Sequence, residues 1–261
     1  MQIWSTLSLI NGTGTRNRLV RKEPVLNARL VAIVDHCWPY WAAEFDIGYR
    51  AFLVPNIYHE TGWLAAQIEK EWHGSGVYGP AGADLSTAAS DSASEELAHF
   101  HALRRLSEAM NSAPADYAPG PAAHALTTFR NGLWANELTR HAVAMSEGGG
   151  LGLFHGALAA IRVTDEPRPQ DALVTACLEP IIADEAGHLG GAIQRYRSSN
   201  VSAADAAVVF GHLATCLTLK VAERQEQFAA NLGDADIFRL ADDIYQAELS
   251  RYRDEIGSLL A

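Results

Sequence analysis

The sequence predicts an all-α fold. Three observations carry this. Apolar residues recur every three or four positions over long stretches, as in Phe100, Leu103, Leu106 and Met110, or Val174, Leu178, Ile181 and Leu189. Alternating β-branched runs are scarce. Gly and Pro cluster between the periodic stretches, where helix breakers belong. With 261 residues, 48% of them hydrophobic and 20% charged, the chain has an ordinary globular composition and can bury a sizeable core. The expected organisation is an N-terminal arm over 1–25 and a single helical domain over 26–261.

The arm contains the turn signal Asn11-Gly12-Thr13-Gly14 and a small basic cluster, Arg16, Arg18, Arg21 and Lys22. Val25 to about Leu53 is rich in aromatics, with Pro39 inside it, and reads as a kinked or broken helix. Asn56 is placed to cap the next helix, Ile57 to about Trp72, and a glycine-rich loop follows. That loop lacks the preceding strand and the Gly-Lys-Ser/Thr ending of a phosphate cradle. A second helix starts somewhere in Leu85–Ser92, taken near Ser86 for the register, and ends at about Met110. A third stretch, about Ala122 to Ile161, carries Val143, Glu147, Leu151, Phe154, Leu158 and Ile161 on one stripe and is expected to break once. Gly148-Gly149-Gly150 interrupts it. Each glycine in a helix costs about 1 kcal/mol relative to Ala, so close helix approach, a bulge or space for a small molecule should compensate. A fourth helix spans about Gln170 to Arg197. Two more run from Ser202, a suitable cap, to about Asn231, and from Ala235 to the C-terminus.

The net charge is −11, and no basic run suggests a nucleic-acid or membrane-surface patch. Cys37, Cys177 and Cys216 are far apart and show no metal spacing; Cys177 and Cys216 fall in helical stripes and read as buried free thiols, and the odd count favours a reducing compartment. No signal peptide and no transmembrane span is read, which makes the cytoplasm the expected location.

Chemistry concentrates in two similar motifs, Glu95-Glu96-Leu97-Ala98-His99 and Asp184-Glu185-Ala186-Gly187-His188. In a helix, residues i and i+3 share a face, so Glu96 with His99, and Glu185 with His188, point together toward the apolar stripe. A carboxylate and an imidazole there must be neutralised, paired or metal-bound. A di-iron or di-manganese site in a helical bundle takes one Glu from each of two helices and a Glu-x-x-His from each of two others. Here the order is Glu60, then Glu96 and His99, then Glu147, then Glu185 and His188. Glu147 and Glu185 each lie about 14 residues, or about 21 Å, from their connecting turn. Glu71 reads as too close to its own turn to be level with Glu96, and Glu44 is the alternative first ligand. Carboxylates bridge and balance divalent cations, and neutral imidazole suits iron. Glu95 and Asp184 are placed to accept hydrogen bonds from ligand histidines on the neighbouring helix. Gly148, Leu151 and His155 are expected to line a pocket beside Glu147.

This arrangement resembles the ferritin-like di-iron carboxylate superfamily, especially its oxygenase branch, over about residues 57–197. The chain departs from that pattern in having Glu95 where Asp is usual and no basic residue inside either motif. The resemblance implies a ferritin-like four-helix bundle with additional N- and C-terminal helices. Glu60, His99, Glu147 and His188 would be terminal ligands, and Glu96 and Glu185 would bridge. It further implies two iron ions, with manganese the alternative, and O2 as co-substrate. The activity expected is a non-haem oxygenase or oxidase acting on a small organic molecule. An external reductase or ferredoxin would supply electrons, because no flavin or nicotinamide fingerprint is present. A homodimer is permitted. Two other readings stay open: a ferroxidase, metal-storage or peroxide-scavenging protein, and a metal-free helical binding protein.

Overall fold

The computed structural model describes residues 23–54, 57–60, 62–74, 91–110, 118–148, 150–229 and 242–260. Among the described residues every regular element is helical. The helices are α1 (Glu23–Leu53), α2 (Ile57–Glu60), α3 (Trp63–Gly74), α4 (Asp91–Ala109) and α5 (Pro121–Trp134). They continue with α6 (Glu137–Glu147), α7 (Gly150–Val163), α8 (Asp171–Ser198), α9 (Ala203–Gln227) and α10 (Asp242–Leu260). Most of the arm, the loop at 75–90, the Asn56 cap and the expected start of the last helix at Ala235 lie outside the described residues.

Helix α1 begins at Glu23, inside the stretch expected to be arm, and stays helical through Pro39. The proline removes one backbone donor and costs about 3 kcal/mol in a helix interior. Against that, Ile33, Cys37, Trp41, Phe45, Tyr49 and Phe52 are all buried at roughly four-residue spacing. Each large apolar side chain contributes about 1.5–3 kcal/mol, so packing outweighs the proline.

The closest helix pair is α1 against α7. A Cβ at Gly48 would stand 2.2 Å from the Leu153 carbonyl oxygen, and one at Gly156 would stand 2.1 Å from that of Phe45. Only glycine allows these backbones to touch. Helix α8 packs between α4, α6, α7 and α10, while α3 packs on α4 and α9 lies across α1, α5 and α6. The turn before α8 is tied back to α1. Arg168 donates to the carbonyls of Phe52 and Val54 and pairs with Asp171, whose Oδ1 also accepts from the Tyr58 hydroxyl at 2.5 Å.

Two further sequence expectations are corrected. The helix expected from Ile57 to about Trp72 is interrupted between Glu60 and Trp63. The third stretch breaks twice, at Ala135–Asn136 and after Glu147. At the first break Asn136 caps α6 by accepting from the Leu138 amide at 2.8 Å. At the second, Gly148 presses against Leu189 of α8, where a Cβ would lie 2.7 Å from Cδ2. Close approach therefore explains that glycine. Helix α9 is capped by Ser202, which accepts from the Asp205 amide at 3.1 Å. It is long and apolar enough, by length and composition, to cross a membrane. Its buried Val209, Leu213, Cys216 and Leu217 continue into buried Lys220, Glu223 and Arg224, so this face belongs to the helix packing.

Candidate metal centre

Three helices build the centre. Helix α3 supplies Glu71, α4 supplies Glu96 and His99, and α8 supplies Glu185. One ligand atom from each of these four residues lies within 4.8 Å of the others. The spacing on α4 follows from one helical turn, which stacks Glu96 and His99.

Glu71 was expected to sit too low on its helix. In the structure α4 starts at Asp91, at the late end of the expected range and five residues after the Ser86 start that the register estimate takes, so Glu96 is five residues into its helix and Glu71 three residues before the end of α3. The two acids are therefore level. Glu60 closes the short helix α2, and its side chain lies outside the described residues.

The motifs interlock across α4 and α8. His99 Nε2 lies 3.1 Å from Asp184 Oδ2, and His188 Nε2 lies 2.6 Å from Glu95 Oε2. Each histidine thus gives its outer nitrogen to the acid of the opposite motif. The inner nitrogens face the cluster: His99 Nδ1 is 3.3 Å from Glu71 Oε2, and His188 Nδ1 is 3.9 Å from Glu96 Oε1. Glu95 and Asp184 thus each lie within hydrogen-bond distance of a histidine on the neighbouring helix.

Electrostatics show what the cluster accommodates. Burial, a hydrogen bond to and the charge of Glu71, and the charges of Glu185 and Glu147 push the Glu96 carboxyl up to about 10. Burial and the Glu71 charge raise Glu185 as well. Burial opposes charge on His99, but hydrogen bonds to Glu71 and Asp184 and the charges of Glu71 and Glu185 outweigh it and raise it to about 9. Three carboxylates crowded in the interior require protons or a cation between them. Carboxylate oxygens with an imidazole nitrogen are donors for a divalent cation. The donor set therefore fits a divalent metal.

Two expected ligands are placed differently. The Glu147 side chain is 45% exposed and accepts from Arg130 Nη2 at 2.5 Å. Its helix ends there, and α7 restarts at Gly150, so Glu147 loses the helical phase that would align it with Leu151 and Phe154. Glu44 is fully buried but faces α9, with Oε1 3.8 Å from Arg224 Nε, and lies outside the ligand group. Burial raises its pKa to about 7, partly offset by Lys220, Arg224 and Lys70.

Behind the centre lies a set of buried charges that the sequence reading missed. Lys220 donates to the Ser146 and Glu147 carbonyls at 3.1 Å each, and Lys70 pairs with Glu223 at 2.7 Å. The available signal was the phase of α9. Lys220, Glu223 and Arg224 continue the apolar stripe of Val209, Leu213, Cys216 and Leu217 at three- and four-residue steps.

The expected pocket residues are also placed. Leu151 is buried in the core, and Gly148 abuts Leu189. His155 faces α10, its Nδ1 3.3 Å from Glu255 and its ring centroid 4.7 Å from that of Tyr252. A cleft of about 730 Å³ is lined by Trp134, Arg140, His141 and Arg195 among others, and none of the clustered ligands lines it. No family model, curated protein or solved structure matches the chain.

Proposed function

We propose that the chain is a non-haem di-iron oxygenase or oxidase that activates O2 to oxidise a small organic substrate. The observation that carries this reading is the reciprocal pairing of His99 with Asp184 and His188 with Glu95 around the cluster of Glu71, Glu96, His99 and Glu185. In fold terms we read α3, α4, α6–α7 and α8 as a ferritin-like ligand-bearing bundle.

Two iron ions held there would supply electrons to O2 and act as a Lewis acid. The chain's own residues hold and orient. Glu71, Glu96 and Glu185 give oxygen donors and neutralise cation charge, and His99 and His188 present Nδ1 toward the interior. Asp184 and Glu95 accept at Nε2, which fixes each ring and its tautomer and makes Nδ1 more basic. Leu103, Leu178, Ile181 and Leu189, all buried, lie on the same two helices and make their core-facing side apolar. Further electrons come from an external reductase or ferredoxin, or from the substrate. Hydroxylation, N-oxygenation, desaturation and oxidative C–C cleavage are all compatible with this arrangement.

Anaerobic Fe(II) titration of the apoprotein, followed by O2, tests the reading. About two irons per chain, with O2 consumption and a changed visible spectrum, are expected. Bulk iron mineralisation without any organic substrate would favour a storage protein instead. Failure to take up either Fe(II) or Mn(II) would remove the metal centre and leave a helical binding protein.

A further inference from the structure

The four clustered ligands provide for one ion. A second ion on the His188 side has that imidazole and a share in the Glu96 and Glu185 carboxylates, and needs another acid to complete its ligand set. The end of α6 brings Glu147 there. Gly148 presses on Leu189, so the Glu147 backbone adjoins α8 next to His188. Lys220 grips the Ser146 and Glu147 carbonyls, which fixes that backbone and leaves the side chain as the part free to turn. Among the described residues the carboxylate rests on Arg130 through Nη2 alone, and Arg130 Nε is buried without a partner. A one-point pair of this kind lacks the two parallel hydrogen bonds of a strong guanidinium–carboxylate contact.

We propose that Arg130 is a latch on Glu147: the second metal ion binds as Glu147 leaves the guanidinium and turns inward beside His188. The latch rests on the di-metal reading above. It makes Glu147 a conditional ligand and Arg130 a residue that acts on the centre only through Glu147. The charge of Glu147 is already felt at Glu96, which agrees with its proximity.

Mn(II) titration of the full chain, with free Mn(II) followed by electron paramagnetic resonance, reads both sites without any turnover. The wild type should bind two ions with unequal affinity. Arg130→Ala should tighten the weaker site about fivefold, the equivalent of about 1 kcal/mol for an exposed pair, and leave the tighter site unchanged. Glu147→Gln should lose the weaker site and keep the tighter one. Arg130→Ala in the Glu147→Gln background should then change nothing, which separates a latch from a general loss of positive charge. Arg130→Gln, checked by thermal melting, stands in should the alanine variant not fold. An Arg130 variant with unchanged or weaker second-site binding overturns the latch, as does Glu147→Gln that keeps both ions. A wild type that takes up no Mn(II) or Fe(II) overturns the metal reading itself and the latch with it.

Discussion

His188 Nε2 and Glu95 Oε2 lie 2.6 Å apart, one on α8 and the other on α4, and this contact holds the imidazole with Nδ1 toward the carboxylate cluster. An acid on the outer nitrogen of a ligand histidine typically changes metal affinity by about 10–100-fold. Glu95→Ala and Asp184→Ala should each weaken Fe(II) binding by at least about tenfold, with little change in the far-ultraviolet spectrum. Equilibrium titration against a competing chelator checks this. Unchanged affinity would show that the pairs serve packing alone.

Glu71 is the candidate ligand that the structure adds. Glu71→Ala should cost more than the loss of an orienting acid, at least about 100-fold in affinity for the tighter ion. Measuring metal content of Glu71→Ala and Glu60→Ala side by side decides how the two share the role. Full metal content in Glu71→Ala would remove it from the centre.

The α1–α7 contact predicts a stability asymmetry among glycines. A Cβ at Gly156 would fall 2.1 Å from the Phe45 carbonyl oxygen, so Gly156→Ala must push the backbones apart. Overpacking of this kind costs about 1–3 kcal/mol. A Cβ at Gly211 meets nothing within 4 Å, so Gly211→Ala should stabilise α9 by about 0.5–1 kcal/mol. Urea denaturation of the two variants should show opposite shifts in midpoint.

His155 predicts an acid-sensitive step. Burial holds the imidazole down at about 4, against the pull of Glu255. The folded value lies below the unfolded one of about 6.5. Its contribution is therefore fully present above about pH 6.5 and lost as pH falls through about 4. Protonation there must place a charge beside Tyr252, whose hydroxyl is buried without a partner. His155→Gln should flatten the stability profile between pH 6.5 and 4, read from urea midpoints at a series of pH values. An unchanged slope would locate the acid sensitivity elsewhere.

Metal loading should stabilise the fold, by about 2.7 kcal/mol at a free concentration 100 times the dissociation constant. The effect should grow with pH. The folded-state values of Glu96 and His99 are raised, so in the apoprotein their contribution is present at low pH and lost as pH rises toward about 9 to 10. A bound cation takes the place of those protons. Melting temperatures with and without Mn(II), from pH 6 to 9, should diverge as pH increases.

Much of the centre was legible in the sequence because it is local. Glu96 with His99 and Glu185 with His188 are one helical turn apart, and that spacing alone assigns them to shared faces. Glu95 and Asp184, one residue earlier, could be read as partners for histidines across the helix pair. Glu71 was not legible, because its height against Glu96 depends on where α4 begins, and the glycine-rich loop before α4 carries no sharp start signal. Glu147 stands apart for a related reason: the break at Gly148 resets the helical phase, and the side chain rests on Arg130.

By itself, then, the sequence determined the helical class, the bundle-like spacing of apolar stripes, and two acid–Glu–x–x–His motifs aimed at a core. These depend on backbone periodicity, which neighbours along the chain set. Tertiary structure decided which acids meet. It levelled Glu71 with Glu96, turned Glu44 toward Arg224, and set Lys220 against the end of α6. Those choices depend on helix starts, phase breaks and the glycine-lined approach of α1 to α7, all fixed by packing between segments far apart in the chain.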